Sequence, residues 1–134
     1  MTTRVDEKLR FMANDLDLRA YRQQLLSSNI ANADTPNYKA KDIDFAAELH
    51  RVQQGGSSRL KLEATSPRHL PALAANPLGV RVMYRQPIQP SIDGNTVDMD
   101  VERGQFTNNA IHYQFVVDRV NGFFRTMLTA IRGQ

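Results

Sequence analysis

The 134-residue chain has no cysteine and no tryptophan, and its apolar runs are no longer than about four residues. Without cysteine, the chain cannot form a disulfide scaffold, a thiolate metal site or a cysteine nucleophile. A transmembrane helix needs about 20 apolar residues, so none is predicted. The first eight residues also lack the apolar core of a secretory signal. We therefore expect any export to proceed without a cleaved signal peptide.

The chain also lacks a large excess of one charge sign, since 17 basic and 14 acidic residues give a net charge of only +3. A nucleic-acid-binding protein usually concentrates its basic residues in one patch or helix. Here the two signs alternate along the chain, as they do on an ordinary solvated surface. The sequence therefore predicts no nucleic-acid partner.

Known catalytic and cofactor motifs are also missing. The three histidines are scattered without the spacing of a zinc site, and there is no glycine-rich phosphate loop and no G-x-S-x-G motif. Two carboxylate pairs, Asp42 with Asp44 and Asp98 with Asp100, lie where helices are predicted to begin, and there they are typical caps. The sequence predicts no catalytic residue, no cofactor and no metal, and therefore no enzyme.

Residues 1–33 are predicted to form a long helix, because residues 4–33 contain no proline or glycine and are rich in good helix formers. Steps of four and three residues trace an apolar stripe that is interrupted only at Arg19 and Gln23. Its apolar members are Val5, Leu9, Met12, Leu16, Leu26 and Ile30. A second stripe on another face consists of Phe11, Leu18, Tyr21 and Leu25. A helix with two apolar stripes needs more than one neighbour.

Residues 98–134 are predicted to form a second long helix, which begins near Asp98 or Asp100 and ends at Gly133. The same stepping gives apolar or aromatic residues at every position: Phe106, Ala110, Tyr113, Val117, Val120, Phe124, Met127 and Ile131. These stripes predict that the two terminal helices pack along a common seam. An ordinary helical hairpin would explain the seam, but the helices carry more apolar surface than one pair can cover.

Residues 34–97 form a central segment of different composition. They contain all six prolines and a flexible glycine–serine tip at 55–58. We predict a short helix over 42–53, capped by an aspartate, and short strands over 60–62 and 80–84. The fold is therefore predicted to be mainly α, with two long terminal helices and small β elements between them.

The segment from Asn29 to Tyr38 is predicted to form the exit from the first helix. Pro36 prevents the helix from continuing, Asn37 tolerates a positive φ, and Tyr38 is placed to fold back as an anchor. On local physics alone, this segment is a well-made helix stop.

The same segment resembles the N-terminal signature of the bacterial flagellar rod and hook proteins, which is close to S-x-N-I-A-N-x-x-T-P-G-Y. The chain departs from it at Asn37, where many members have glycine. Stretches at 39–45, 65–70 and 93–102 are similar to those of the short proximal rod subunits of the flagellar basal body. The signature matches at Ser27 or Ser28 and at Asn29, Ile30, Ala31, Asn32, Thr35, Pro36 and Tyr38.

This resemblance implies that the terminal helices pair as an antiparallel coiled coil in an inner tube, with residues 34–97 on the outside or between subunits. It implies a structural subunit that polymerises into the rod, the tubular drive shaft that transmits motor torque. The implied partners are identical copies, other rod proteins, the rod-to-ring adaptor protein, the export gate, the inner-membrane ring and the flagellar type III export apparatus. The implied location is the periplasmic part of the basal body.

Within this interpretation, the second stripe on the first helix, Phe11, Leu18, Tyr21 and Leu25, is assigned to contacts with neighbouring copies. A head-to-tail contact that does not close produces a helical filament. The alternative is a soluble helical adaptor or export chaperone of a secretion system. Such a protein would share the apolar stripes but would not need the Asn29–Tyr38 signature.

Overall fold

The computed structural model describes residues 4–55 and 79–133. Its elements, in chain order, are α1 (Arg4–Ala31), β1 (Lys41–Ile43), α2 (Phe45–Gln53), β2 (Val82–Tyr84) and α3 (Met99–Arg132). At 1.5 Å per residue, α1 is about 42 Å long and α3 is about 51 Å long. The predicted fold class is confirmed: the protein is mainly helical, and its two long terminal helices pack against each other.

The two long helices run antiparallel. Contacts join Asn29 near the end of α1 to Glu102 near the start of α3, and Lys8 near the start of α1 to Phe123 in the second half of α3. Both ends of α3 are capped. The Asp98 carboxylate accepts hydrogen bonds from the backbone N–H groups of the first turn, and Gly133 ends the helix in the left-handed conformation.

A two-stranded antiparallel sheet and a short helix occupy the middle of the chain. Residue Lys41 pairs with Tyr84, and Ile43 pairs with Val82. The predicted strand at 80–84 is therefore found at 82–84, whereas the strand at 60–62 lies outside the described residues. Helix α2 begins three residues later than predicted, because Asp44 is its cap and Asp42 belongs to β1.

The apolar core lies where α1 meets the sheet and α2. Leu18, Ile43 and Val80 are buried together there. The half-buried residues around them are Tyr21, Leu25, Phe45, Leu49 and Val82. Complete burial of one large apolar side chain contributes about 1.5–3 kcal/mol, so this cluster holds the central segment onto the first helix.

Candidate assembly interface

The exit from α1 has the geometry expected of a helix stop. Asn37 lies in the turn with a φ of 60°, in the left-handed region that asparagine tolerates better than most residues. The Tyr38 hydroxyl returns to the last turn of α1, where its oxygen lies 3.1 Å from Ser28 Oγ. Within the exit, Thr35 Oγ1 donates to Asn32 Oδ1 at 3.1 Å. The signature therefore folds as one compact, hydrogen-bonded unit.

Asn95 closes this unit from the other side of the sequence. Its buried side-chain amide donates to the backbone oxygens of Asn32, Ala33 and Thr35 at 3.1, 2.7 and 2.9 Å. The last carbonyl groups of a helix lack partners within the helix, and Asn95 supplies a donor to this region. The sequence indicated only a turn at Asn95, because a partner about 60 residues away leaves no local signal.

Asn29 joins three elements at one buried point. Its Oδ1 accepts from the Lys41 N–H at 3.0 Å, and its Nδ2 donates to the Lys41 carbonyl at 2.8 Å. The same Nδ2 lies 3.1 Å from Glu102 Oε2 on α3. This signature asparagine is completely buried, and it links α1 to both β1 and α3.

Next to Asn29, two cations and two anions form a charge cluster: Arg22, Asp42, Arg85 and Glu102. Arg22 binds the Asp42 carboxylate with Nε at 2.8 Å and Nη2 at 2.9 Å, a bidentate pair. Arg85 donates to Asp42 Oδ2 at 2.6 Å and also to Glu102. The cluster connects α1, β1, the residue after β2 and α3, and its formal charge is zero.

The two carboxylates of the cluster differ in their protonation energetics. Burial tends to raise the pKa of Asp42, but hydrogen bonds from Arg22 and the Ile43 N–H and the nearby positive charge bring that pKa below its ordinary value. Burial raises the pKa of Glu102 above its ordinary value, and the Asn29 hydrogen bond and the Arg85 charge offset only part of this effect. Asp42 is therefore well suited to its negative charge, whereas Glu102 is not.

The seam between α1 and α3 is more polar than the sequence predicted. The fully or almost fully buried residues on α3 are Glu102, Asn109 and Val116, spaced seven apart. Asn109 Nδ2 donates to the Arg19 carbonyl at 2.9 Å and to Gln23 Oε1 at 2.6 Å. Gln23, one of the two predicted breaks, therefore meets a polar partner on α3. Arg19 contributes only its backbone carbonyl to this contact, and its side chain pairs with Asp15 on α1 itself.

Predicted seam residues differ widely in burial. Met12 and Leu26 are buried. The half-buried members are Leu9, Leu16, Ile30, Phe106, Val117, Val120 and Met127. The exposed members are Val5, Ala110, Tyr113, Phe124 and Ile131. Ala110 and Tyr113 line a groove between α1 and α3, and the place of all five exposed members in the seam stays a prediction. The buried face of α3 is centred on Asn109 and Val116, to one side of its apolar stripe.

The second stripe of α1 also needs correction. Leu18 is 0% exposed within the chain, so the prediction that it contacts neighbouring copies is wrong. Tyr21 and Leu25 are half-buried against the same apolar core. Leu18, Tyr21 and Leu25 face the central sheet and α2, which sequence periodicity on α1 alone could not show. Phe11 is 40% exposed, and its role between copies stays a prediction.

Apolar side chains on α3 form two exposed surfaces. Ile111 and Phe115 lie four residues apart, on the side of α3 turned away from α1, and both are exposed. Phe124 and Leu128 lie four residues apart along a flank of the same helix and are exposed as well. Ile111, Phe115 and Leu128 fall outside the predicted stripes, and the available signal was the four-residue spacing that places Ile111 and Phe115 on one face of a helix.

Among residues 4–55 and 79–133, no three histidine or acidic side chains come together in a group that could hold a metal ion. Within the same ranges, no helix is long and apolar enough to cross a membrane.

Comparison with known proteins assigns the family. Residues 9–39, which include the helix exit, match the family of flagella basal body rod proteins. The chain is 47% identical to the flagellar basal body rod protein FlgB of Escherichia coli K12, over 98% of each chain. It is 46% identical to FlgB of Salmonella typhimurium over 99% of each chain, and 44% identical to FlgB of Cereibacter sphaeroides over 96% of each. The chain belongs to the flagellar basal body rod protein family.

As a flagellar rod protein, the chain is a structural subunit of the basal body. A rod is built from repeated subunits, so membership implies association with copies of itself and with other rod components. The comparisons give no support to the alternative of an adaptor or export chaperone. The family match also covers the buried Asn29 and the Tyr38 anchor, so the family signature coincides with the unit that fixes the exit of α1.

Proposed function

We propose that this chain is a proximal rod subunit that polymerises through its terminal helices into a tubular shaft and helps transmit motor torque. In this assembly, residues 1–33 and 98–134 form the inner tube and residues 34–97 form its outer or inter-subunit part. No step of this role requires catalysis, a cofactor or a metal.

The observation that carries the proposal is the apolar character of α3 on two sides that α1 does not cover. Ile111 is 65% exposed and Phe115 is 56% exposed, while Phe124 and Leu128 line a separate flank. Large apolar patches on a folded subunit mark surfaces for association. Patches on two sides suit a tube, because a subunit in the wall of a tube has neighbours in more than one direction.

The experiment replaces Phe115 with aspartate in motile cells that lack the native copy. A charge at this site would have to be desolvated against an apolar neighbour, so we expect few complete rods and loss of swimming. Asn121→Asp, at an exposed polar position of the same helix, is the matched control, and it should leave rods intact. Circular dichroism of the purified variant should show an unchanged helix content, which separates lost assembly from lost folding.

Normal numbers of basal bodies with Phe115→Asp, seen by electron microscopy, would contradict assembly through this face of α3. Rods lost equally with Asn121→Asp would show that any added charge on α3 is harmful and would remove the argument from apolar burial.

The specific partners of the subunit and its location in the cell belong to the same proposal. We infer that the subunit reaches the periplasm through the flagellar type III export apparatus and assembles next to the export gate, the rod-to-ring adaptor protein and the inner-membrane ring. In cells with an inactive export gate, the chain should accumulate in the cytosolic fraction. Its appearance in the periplasm of such cells would refute this route.

A further inference from the structure

The two ends of the antiparallel helix pair carry opposite net charge. The basic end, defined as residues 4–10 and 121–133, lies where α1 begins and α3 ends, and it has five basic and two acidic side chains. The acidic end, defined as residues 31–39 and 86–101, lies where α1 ends and α3 begins, and it has one basic and four acidic side chains. The net charges are therefore +3 and −3. The ends are separated by about the length of α1, roughly 42 Å, so they do not neutralise each other within one chain.

At the acidic end, carboxylates lie next to exposed aliphatic side chains. Ile88 is 80% exposed and Ile92 is fully exposed. Ile88 and Asp98 line the same shallow hollow, of about 370 Å³, beside the start of α3. Asp93 follows Ile92 directly, and hydrogen bonds, chiefly from the Ser91 hydroxyl, lower the pKa of its carboxyl, so the group stays charged. The exposed carboxylates of this end are Asp34, Asp93, Asp98 and Asp100.

The basic end has the matching arrangement. Leu128 lies between Arg125 and Arg132 in a second hollow, of about 330 Å³, at the last turns of α3. Leu128 is 50% exposed and Ile131 is 78% exposed. Residues 121–133 contain no acidic side chain, and among the residues that the structure describes neither arginine forms an ion pair. This end therefore offers exposed aliphatic side chains together with unneutralised positive charge.

We propose that the acidic end of one copy docks against the basic end of a second copy, so that copies join end to end along the helix axis. Ends of opposite sign attract each other, whereas two like ends repel, and the aliphatic side chains in the two hollows are buried by the contact. The two surfaces are different patches of the chain, so the contact is head-to-tail and continues from copy to copy. This inference rests on the proposed function, and it adds a contact along the shaft to the contact through Phe115.

The chain has no cysteine, so single-cysteine variants report one contact without background. Ile92→Cys marks the acidic end and Ile131→Cys marks the basic end. The two purified variants are mixed and oxidised at low salt, and the linked peptides are identified by mass spectrometry. Each chain carries one thiol, so any disulfide must join two copies. We expect the link between positions 92 and 131 to exceed the 92–92 and 131–131 links several-fold.

Ile111→Cys replaces Ile131→Cys in the control, because Ile111 is also an exposed isoleucine of α3 but lies near the middle of that helix. Equal links from position 92 to positions 111 and 131 would overturn the inference. A dominant 131–131 link would overturn it too, because it would show a symmetric contact between two basic ends. A chain that stays monomeric at low salt would do the same and would assign both ends to other rod components.

Charge reversal separates attraction between the ends from a general effect of net charge. Arg125→Glu with Arg132→Glu makes both ends acidic, and Asp34→Lys with Asp100→Lys makes both ends basic. Either pair of changes should abolish most of the association that sedimentation velocity measures for the native chain. All four changes in one chain keep the net charge of +3 but exchange the signs of the two ends. Association should then return, at least in part.

Salt gives the matching readout on the native chain. A change from about 20 mM to about 500 mM salt shortens the screening length to below about 5 Å, so the copies should dissociate. Association that persists at high salt, or that does not return in the folded fourfold variant, would overturn the contact. The cysteine variants decide the question if circular dichroism shows that the fourfold variant does not fold. Because Phe115→Asp tests the side of α3, a failed contact between the ends leaves the proposed function standing.

Discussion

The charge cluster predicts that its two carboxylates contribute unequally to stability. The perturbations are Asp42→Asn and Glu102→Gln, which remove one negative charge each and keep the side-chain size. Asp42 accepts hydrogen bonds from both Arg22 and Arg85 and has a lowered pKa. Glu102 is completely buried and has a raised pKa. The native charge is therefore favoured at Asp42 and disfavoured at Glu102.

The magnitudes follow from burial. Removal of one partner from a buried ion pair costs about 3–5 kcal/mol. The side chains of Arg22, Asp42 and Arg85 keep 16–23% exposure, so water screens part of this interaction. We expect a loss of about 3 kcal/mol for Asp42→Asn, at the lower end of that range. Glu102→Gln removes a costly desolvated charge together with its attraction to Arg85, and we expect a loss of about 1 kcal/mol or less.

The assay is urea unfolding followed by circular dichroism at neutral pH, with the slope of free energy against urea compared between variants. A loss for Glu102→Gln that equals or exceeds the loss for Asp42→Asn would refute the reasoning from desolvation. A changed slope would show that the unfolded or folded state itself had changed, and the comparison would then use the thermal midpoint.

The same pair predicts opposite dependences on pH. The pKa of Asp42 is lowered by folding, so its contribution is present above the unfolded pKa and is lost as the pH falls through the folded pKa. The pKa of Glu102 is raised, so its contribution is complete below the unfolded pKa and is lost as the pH rises through the folded pKa. The stability difference between the native chain and Asp42→Asn should therefore shrink in acid. The native chain should instead lose stability relative to Glu102→Gln as the pH rises. Unfolding curves from pH 3 to 7 would check both trends.

Three further changes test the packing, and all are measured by urea unfolding. Leu18→Ala should cost about 2–5 kcal/mol, whereas Phe11→Ala, at an exposed site on the same helix, should cost under about 1 kcal/mol; equal losses would contradict the placement of the core. Asn95→Ala should cost about 1–3 kcal/mol, since three backbone oxygens lose their donor; an unchanged midpoint would mean that water replaces it. Gly94→Ala should destabilise the fold, because the φ of Gly94 is +73° and the new Cβ would lie 2.6 Å from Asn37 Oδ1. Gly122→Ala, in open space within α3, should stabilise the fold by about 1 kcal/mol. The reverse order of stabilities would refute both arguments.

Part of this architecture could be predicted from local patterns. The long helices follow from their composition and apolar stripes, and the exit of α1 follows from Pro36, Asn37 and Tyr38. These features depend on residues that are close in sequence, so the sequence shows them directly. The family signature also drew attention to Asn29, although its burial could not be foreseen.

Other features depend on partners far along the chain. Strand β1 has only three residues, and Asp42 is ordered there by Arg85, which lies 43 residues away. Glu102 and Asn109 are polar, so a search for apolar steps places them outside the seam. In the structure, Asn29 on α1 donates to Glu102, and the Asn109 amide nitrogen donates to α1. Leu18 belongs to a stripe whose spacing is equally typical of an exposed contact surface, and only the position of the central sheet shows that it is buried.

The polar contacts along the two long helices also limit variation between subunits. If α3 slid along α1 by one turn, the displacement would be about 5.4 Å. Asn29 would then lose Glu102, and Asn109 would lose its partners Arg19 and Gln23. An all-leucine seam would tolerate such a slip far more easily. In a long stack of subunits, small differences in subunit length would add up and bend the axis of the assembly. A subunit whose helices have a single permitted alignment gives the stack a constant repeat, and a straight shaft can then rotate without wobble.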